Sequence, residues 1–138
     1  MLKDWNKVEQ PTAEEVDKRL ANAKNSLLQQ QIAMKEKKLP VIVLLEGWGA
    51  AGKGSVLGKL IKNIDPRFFK VAVMDEPTEE EKRKPFLYRH FVKIPEAGKF
   101  VFMDSGWMSE VTSQKLSGEL SEEEYKKRIE SIKRFERQ

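Results

Sequence analysis

With 138 residues, 26 basic side chains against 22 acidic ones and a formal net charge of +4, the chain has the length of one domain around one core. The surplus favours anionic partners but is too thin for a nucleic-acid coat protein, so nucleic acid is not an expected partner. The absence of cysteine and a single histidine, His90, exclude a thiolate zinc site, a disulfide framework and a cysteine nucleophile; no apolar run nears the ~20 residues that span a bilayer and no secretory core follows Met1, so the expected compartment is the cytoplasm, without export or membrane insertion.

Thr12 followed by Glu15 is a capping box, and it predicts a long first helix over residues 13–37, with Val16, Leu20, Ala23, Leu27 and Met34 recurring on one face. The segment from 41 to 45, Val-Ile-Val-Leu-Leu, is apolar on both faces, as a parallel strand between two helical layers must be. A glycine-rich loop follows it. The next helix uses Val56, Leu57, Leu60 and Ile61 and stops before Asp65-Pro66, because a residue preceding proline avoids the helical region. A second strand is expected over 69–74. Thr78 with Glu81 opens a helix over about 79–92, with Pro85 as a kink or late start. A third strand covers 100–103, the stretch from Ser113 onward reads as polar and loop-like, and Ser121 with Glu124 opens a last helix over 122–136. Strands alternating with helices imply right-handed crossovers and an α/β layered parallel sheet.

Gly47-Trp48-Gly49-Ala50-Ala51-Gly52-Lys53 meets the G-x-x-x-x-G-K pattern between an apolar strand and a helix. Glycines there let successive N–H groups point into one concavity, the helix adds its positive end, and Lys53 supplies a mobile cation for outer phosphates. The lysine is followed by Gly54, so the hydroxyl that usually holds magnesium falls at Ser55. Asp104, closing the third strand, is the candidate ligand for Mg²⁺, against the alternative of an aspartate that merely caps the next turn. Among the basic residues Lys82, Arg83, Lys84, Arg89, His90 and Lys93, Arg89 stands out, since it accompanies Phe86, Tyr88 and Phe91 beside the phosphate cleft. His90 alone makes no metal site and reads as structural. Trp48 and Trp107 lie in the two motif loops, where stacking on a base and covering the core are equally open.

These motifs occur together with Leu-Pro-Val-Ile-Val-Leu-Leu-Glu before the loop, Ile-Asp-Pro-Arg from Ile64, Pro-Thr-Glu-Glu-Glu from Pro77, the pair Tyr88-Arg89, Ile-Pro-Glu-Ala-Gly-Lys from Ile94, and Trp107 three residues after Asp104. The combination resembles the polyphosphate kinase 2 family over nearly the whole chain, above all the first module of tandem polyphosphate:AMP phosphotransferases. The resemblance implies a P-loop kinase fold, a three-layer sandwich with a parallel sheet. It implies transfer of a terminal phosphate between polyphosphate and a nucleoside mono- or diphosphate with Mg²⁺. It also implies phosphate-cradling by Gly47, Trp48, Gly49, Ala50, Ala51, Gly52 and Lys53, a metal role for Asp104, and an Arg89 that faces the nucleotide or phosphate chain; the reading of the loop itself adds Gly54 and Ser55 to the candidate phosphate-binding residues. Catalytic roles thus fall to Lys53, Asp104 and Arg89.

Two motifs depart from the family's. Its loop carries aspartate where this chain has Gly49, and its second motif reads Asp-Arg-Ser-Trp-Tyr followed shortly by another arginine, where this chain reads Asp104-Ser105-Gly106-Trp107-Met108-Ser109-Glu110. One carboxylate and two guanidiniums are missing, and such groups position metal and neutralise developing charge. The expectation is therefore a module that binds polyphosphate or the phosphates of AMP, ADP or ATP and transfers phosphate weakly. The alternatives are an active phosphotransferase and a non-catalytic module that assembles oligomers through its first helix. The implied sheet order, 2-3-1-4-5, lacks its last two strands here, so the sheet is expected to stop after three, with residues 41–45 as an exposed edge. That points to a fragment, a truncated gene product or a protein that completes its sheet by self-association, and the resemblance to tandem proteins adds a second module as an alternative partner.

Overall fold

The computed structural model describes residues 10–138. At its centre runs β3 (Phe100–Asp104), whose first four residues are all buried. It pairs in parallel with β1 (Val41–Leu45) on one side and β2 (Phe69–Val73) on the other, giving the order β1-β3-β2. The fold is thus α/β with a three-stranded parallel sheet, and β1 lies at its edge with every residue half-buried. Strand alternation divides the core. Phe100 and Phe102 point to one face, where Met34 of α1 (Ala13–Glu36) and Leu57 of α2 (Lys53–Ile61) pack with Ile64. Val101 and Met103 point to the other, against Trp107 and Val111 of α5 (Trp107–Leu116) and Ile132 of α6 (Glu122–Glu136).

All three capping boxes form, with hydroxyl and carboxylate exchanging hydrogen bonds at Thr12 and Glu15, Thr78 and Glu81, and Ser121 and Glu124. The helix expected over 79–92 is two helices, α3 (Glu79–Lys82) and α4 (Tyr88–Phe91). Pro85 separates them. It offers no N–H, it biases Lys84 away from helical backbone, and its carbonyl accepts from the Tyr88 amide at 2.8 Å to start α4. A single turn of 3₁₀ helix, Pro66–Phe68, leads into β2.

Helix α5 replaces the loop expected around Ser113. Its N-cap is Gly106, which has no side chain to offer, and the cap comes from another segment: the Glu46 carboxylate accepts from the amide of Ser109, at 3.1 Å, and from its hydroxyl. A Cβ at position 106 would lie 2.7 Å from Glu46 Oε1 and 3.0 Å from Leu44 Cδ2, so glycine is what lets α5 start this close to the end of β1.

Candidate phosphate-binding site

The carboxyl ends of the three strands open onto one cavity of about 580 Å³. A crevice there is where open α/β sheets bind their ligands. The loop after β1 forms one side, through Glu46, Gly47, Trp48, Gly49 and Lys53; Met74 to Pro77 follow β2; Arg89 comes from α4; and Ser105, Gly106 and one face of α5 close the far side.

The loop's curl is set by backbone. Gly47 has φ 153° and Gly52, the N-cap of α2, has φ 83°, a left-handed conformation that glycine adopts without strain. The Ala51 amide closes the turn on the Trp48 carbonyl at 2.9 Å. No side chain caps α2, and no described residue accepts from the amides of Lys53, Gly54 and Ser55, which keep the positive end of the helix open to an anion. Lys53 Nζ bends over the loop and donates to the carbonyls of Gly47, at 3.0 Å, and Trp48, at 3.2 Å. Of the residues expected to cradle phosphate, Gly47, Trp48, Gly49 and Lys53 line the cavity, whereas Ala50, Ala51, Gly52, Gly54 and Ser55 lie outside its wall.

Asp104 ends β3 in register with Leu45 and Val73, so its backbone sits between the ends of both neighbours. Its side chain is half-buried and does not line the cavity. Ser105 turns the chain sharply at φ 66°, a conformation uncommon outside glycine, asparagine and aspartate, while its amide still donates to the Leu45 carbonyl. Among the described residues no three acidic or histidine side chains converge on a metal position.

Arg89 reaches the cavity from a largely buried position. One guanidinium nitrogen donates to the Asp75 carbonyl, and another lies 3.7 Å from Glu110 Oε2. That oxygen also sits 3.2 Å from Nε2 of His90, which is fully buried and packed edge-on to Trp107 at 5.7 Å between ring centres. His90 has the structural place expected of it. The two tryptophans part company: Trp107 is core, its indole N–H donating to Glu136 at 2.9 Å, whereas Trp48 is 76% exposed on the loop.

Two acidic neighbours of the site were not among the expected residues. Glu46, the acid just before Gly47, ties the loop to α5, and Glu110 meets Arg89 and His90 across twenty residues of sequence. Glu46 had a signal, a lone carboxylate directly behind a phosphate-binding motif. Glu110 had none, since only the fold brings it to α4.

The described chain contains no helix long and apolar enough to cross a membrane. It is 30% identical over 119 residues to ADP-polyphosphate phosphotransferase 3 of Rhizobium meliloti, covering 86% of this chain and 42% of the relative. It is 32% identical over 102 residues to the polyphosphate:AMP phosphotransferase of Pseudomonas syringae, covering 74% of this chain and 20% of that one. The crystal structure of polyphosphate kinase 2 from Arthrobacter aurescens superposes with a TM-score of 0.85 at 25% identity, over 92% of this chain and 47% of the other. The chain thus spans less than half the length of these relatives. The sequence model of polyphosphate kinase 2 (PPK2) matches residues 10–138, and with the strand order and the loop geometry this establishes that the chain belongs to the polyphosphate kinase 2 family.

Proposed function

We propose that this chain is a phosphate-binding module of polyphosphate-dependent nucleotide phosphotransfer, gripping polyphosphate or the phosphates of AMP, ADP or ATP at residues 47–55 and transferring phosphate weakly. The observation that carries it is the uncapped start of α2 at Lys53, which with Gly47, Trp48 and Gly49 lines a cavity large enough for a nucleotide. The names of the relatives point the same way, to polyphosphate with ADP or AMP.

Lys53 would release the two loop carbonyls and follow the outer phosphate, while the amides of α2 hold the inner one. Mg²⁺ prefers one or two carboxylates together with phosphate oxygens and waters. Asp104 at the end of the central strand and Ser55 at the start of α2 carry hard oxygen donors of that kind, so by donor chemistry they are the residues that would hold a magnesium arriving with its phosphates, although neither lines the cavity. Held by them, the ion would supply positive charge that offsets that of the phosphates. The reading of weak transfer rests on Gly49, Ser105 and the Asp104–Glu110 motif, where the resemblance places one acid and two arginines. Nucleoside phosphates and this chemistry belong together in the cytoplasm.

Calorimetry with pyrophosphate, ADP and long-chain polyphosphate in the presence of Mg²⁺ tests the grip. Lys53→Ala should weaken binding by about 100-fold, the loss of charge-assisted contacts to phosphate, without altering the fold. Unchanged affinity in that variant would leave the loop without its role. For transfer, the double change Gly49→Asp with Ser105→Arg should raise the rate of ADP or ATP formation from polyphosphate; a Cβ at position 49 meets nothing within 4 Å, so the new carboxylate has room. A wild-type chain already as fast as the double variant would refute the weak-transfer reading.

A further inference from the structure

Besides Lys53, the cavity wall holds a single basic side chain, Arg89, against five acidic ones: Glu46, Asp75, Glu76, Glu110 and Glu119. Arg89 is not free to act as an anion receptor. Its side chain is 7% exposed, the Asp75 carbonyl accepts from one terminal nitrogen, and Glu110 Oε2 stands 3.7 Å from the other. Glu110 is itself only 16% exposed, and the same oxygen is shared with His90 at 3.2 Å. At that distance the carboxylate acts on the guanidinium through its charge, the same attraction a phosphate oxygen would exert there. In this half-enclosed site, screened less than at the surface, it competes on favourable terms.

We infer that Glu110 is a specificity-determining residue: its carboxylate occupies the guanidinium of Arg89 as a built-in anion, so the cavity accepts a short phosphate group at the loop and disfavours a longer phosphate chain running on to α4. The inference rests on the loop holding phosphate, and it narrows the ligand. Pyrophosphate or a nucleotide satisfies Lys53 and the α2 amides without needing Arg89. A long polyphosphate would have to displace Glu110, leaving that carboxylate beside new negative charge. The partners are not saturated, since Arg89 Nε and His90 Nδ1 are buried without a hydrogen-bond partner among the described residues. A pair built only to brace the fold would be expected to satisfy those atoms as well.

The experiment is calorimetry on the 138-residue chain with pyrophosphate and with long-chain polyphosphate. Glu110→Gln should bind the long chain about tenfold more tightly, one charge-assisted contact regained, while pyrophosphate affinity stays within about twofold. Arg89→Gln added to Glu110→Gln should cancel the gain. Glu119→Gln, which removes a cavity charge remote from Arg89 in the hydrogen-bond network, should change the long chain's affinity by less than about twofold. No gain in Glu110→Gln, or an equal gain in Glu119→Gln, would overturn the inference. Should Glu110→Gln not fold, the wild type decides by NMR: the Arg89 Nε–H signal should stay in place when polyphosphate shifts the loop amides, and a comparable shift at Arg89 would refute the idea. Loss of pyrophosphate binding in Lys53→Ala is read separately; its absence would remove the loop reading, whatever Glu110 does.

Discussion

The two ends of the cavity are built by opposite means. At the loop end one unbroken segment, residues 47–55, does everything, and it does so with backbone: two glycines in conformations other residues resist, a left-handed N-cap, and amides left open at the start of α2. At the inner end Arg89, His90 and Glu110 meet through side chains that are largely buried, and the exposed Asp75 adds only its backbone carbonyl. The tryptophans mark the contrast, Trp48 at 76% exposure and Trp107 at 4%. A backbone cradle tolerates change in its side chains, so the loop keeps its shape with Gly49 in place of an acid. The inner wall is only as good as each of its partners, and one substitution there changes its charge.

The largest effect expected from this difference comes from truncating the two tryptophans. Trp107→Ala removes a ring packed against His90 at 5.7 Å and Phe135 at 5.1 Å, together with the hydrogen bond to Glu136. It should cost about 3–5 kcal/mol in chemical denaturation, as large buried aromatics do. Trp48→Ala should stay within about 0.5 kcal/mol, since the ring faces solvent. Equal losses would abolish the distinction. A smaller effect is expected at Gly52, where φ is 83° and an added Cβ would meet nothing within 4 Å. Gly52→Ala therefore carries only the backbone penalty, about 1–2 kcal/mol, and should lower phosphate affinity as the α2 amides turn away. A variant of full stability and affinity would mean that the loop does not depend on that conformation.

The same contrast decides what could be read from sequence. Whatever is written in consecutive residues was legible: the three capping boxes, β1 at 41–45, α6 at 122–136 and the loop between strand and helix. The sheet order, which no local pattern specifies, came from the family resemblance. Helix α5 was missed because Ser109, Thr112, Ser113 and Gln114 obscure its apolar face, and because its cap is supplied by Glu46 from 63 residues away. Pro85 was recognised as a break, but the sequence did not say that it would leave two single-turn helices. The pairing of Glu110 with Arg89 and His90 depends on α4 and α5 meeting over the end of β3, which is a property of the fold alone.

The smallest effect expected concerns a purely local device and its pH dependence. Glu124 accepts from the amide and hydroxyl of Ser121, and these bonds, the hydroxyl's foremost, hold its carboxyl below its ordinary value of 4.5. A carboxyl more acidic in the folded than in the unfolded chain binds fewer protons when folded. Its contribution to stability is therefore fully present above the unfolded value and is lost as pH falls through the folded one. Glu124→Gln keeps a side chain able to accept from the Ser121 amide but removes the charge that opposes the dipole of α6. The variant should unfold at slightly lower denaturant than wild type at pH 7, and the gap should close as pH drops below 4.5. Urea midpoints measured at both ends of that range provide the check. A gap that persists or widens in acid would place the loss in packing rather than in the cap, and would put Glu124 with the buried residues of the inner wall instead of with the local devices that start the helices.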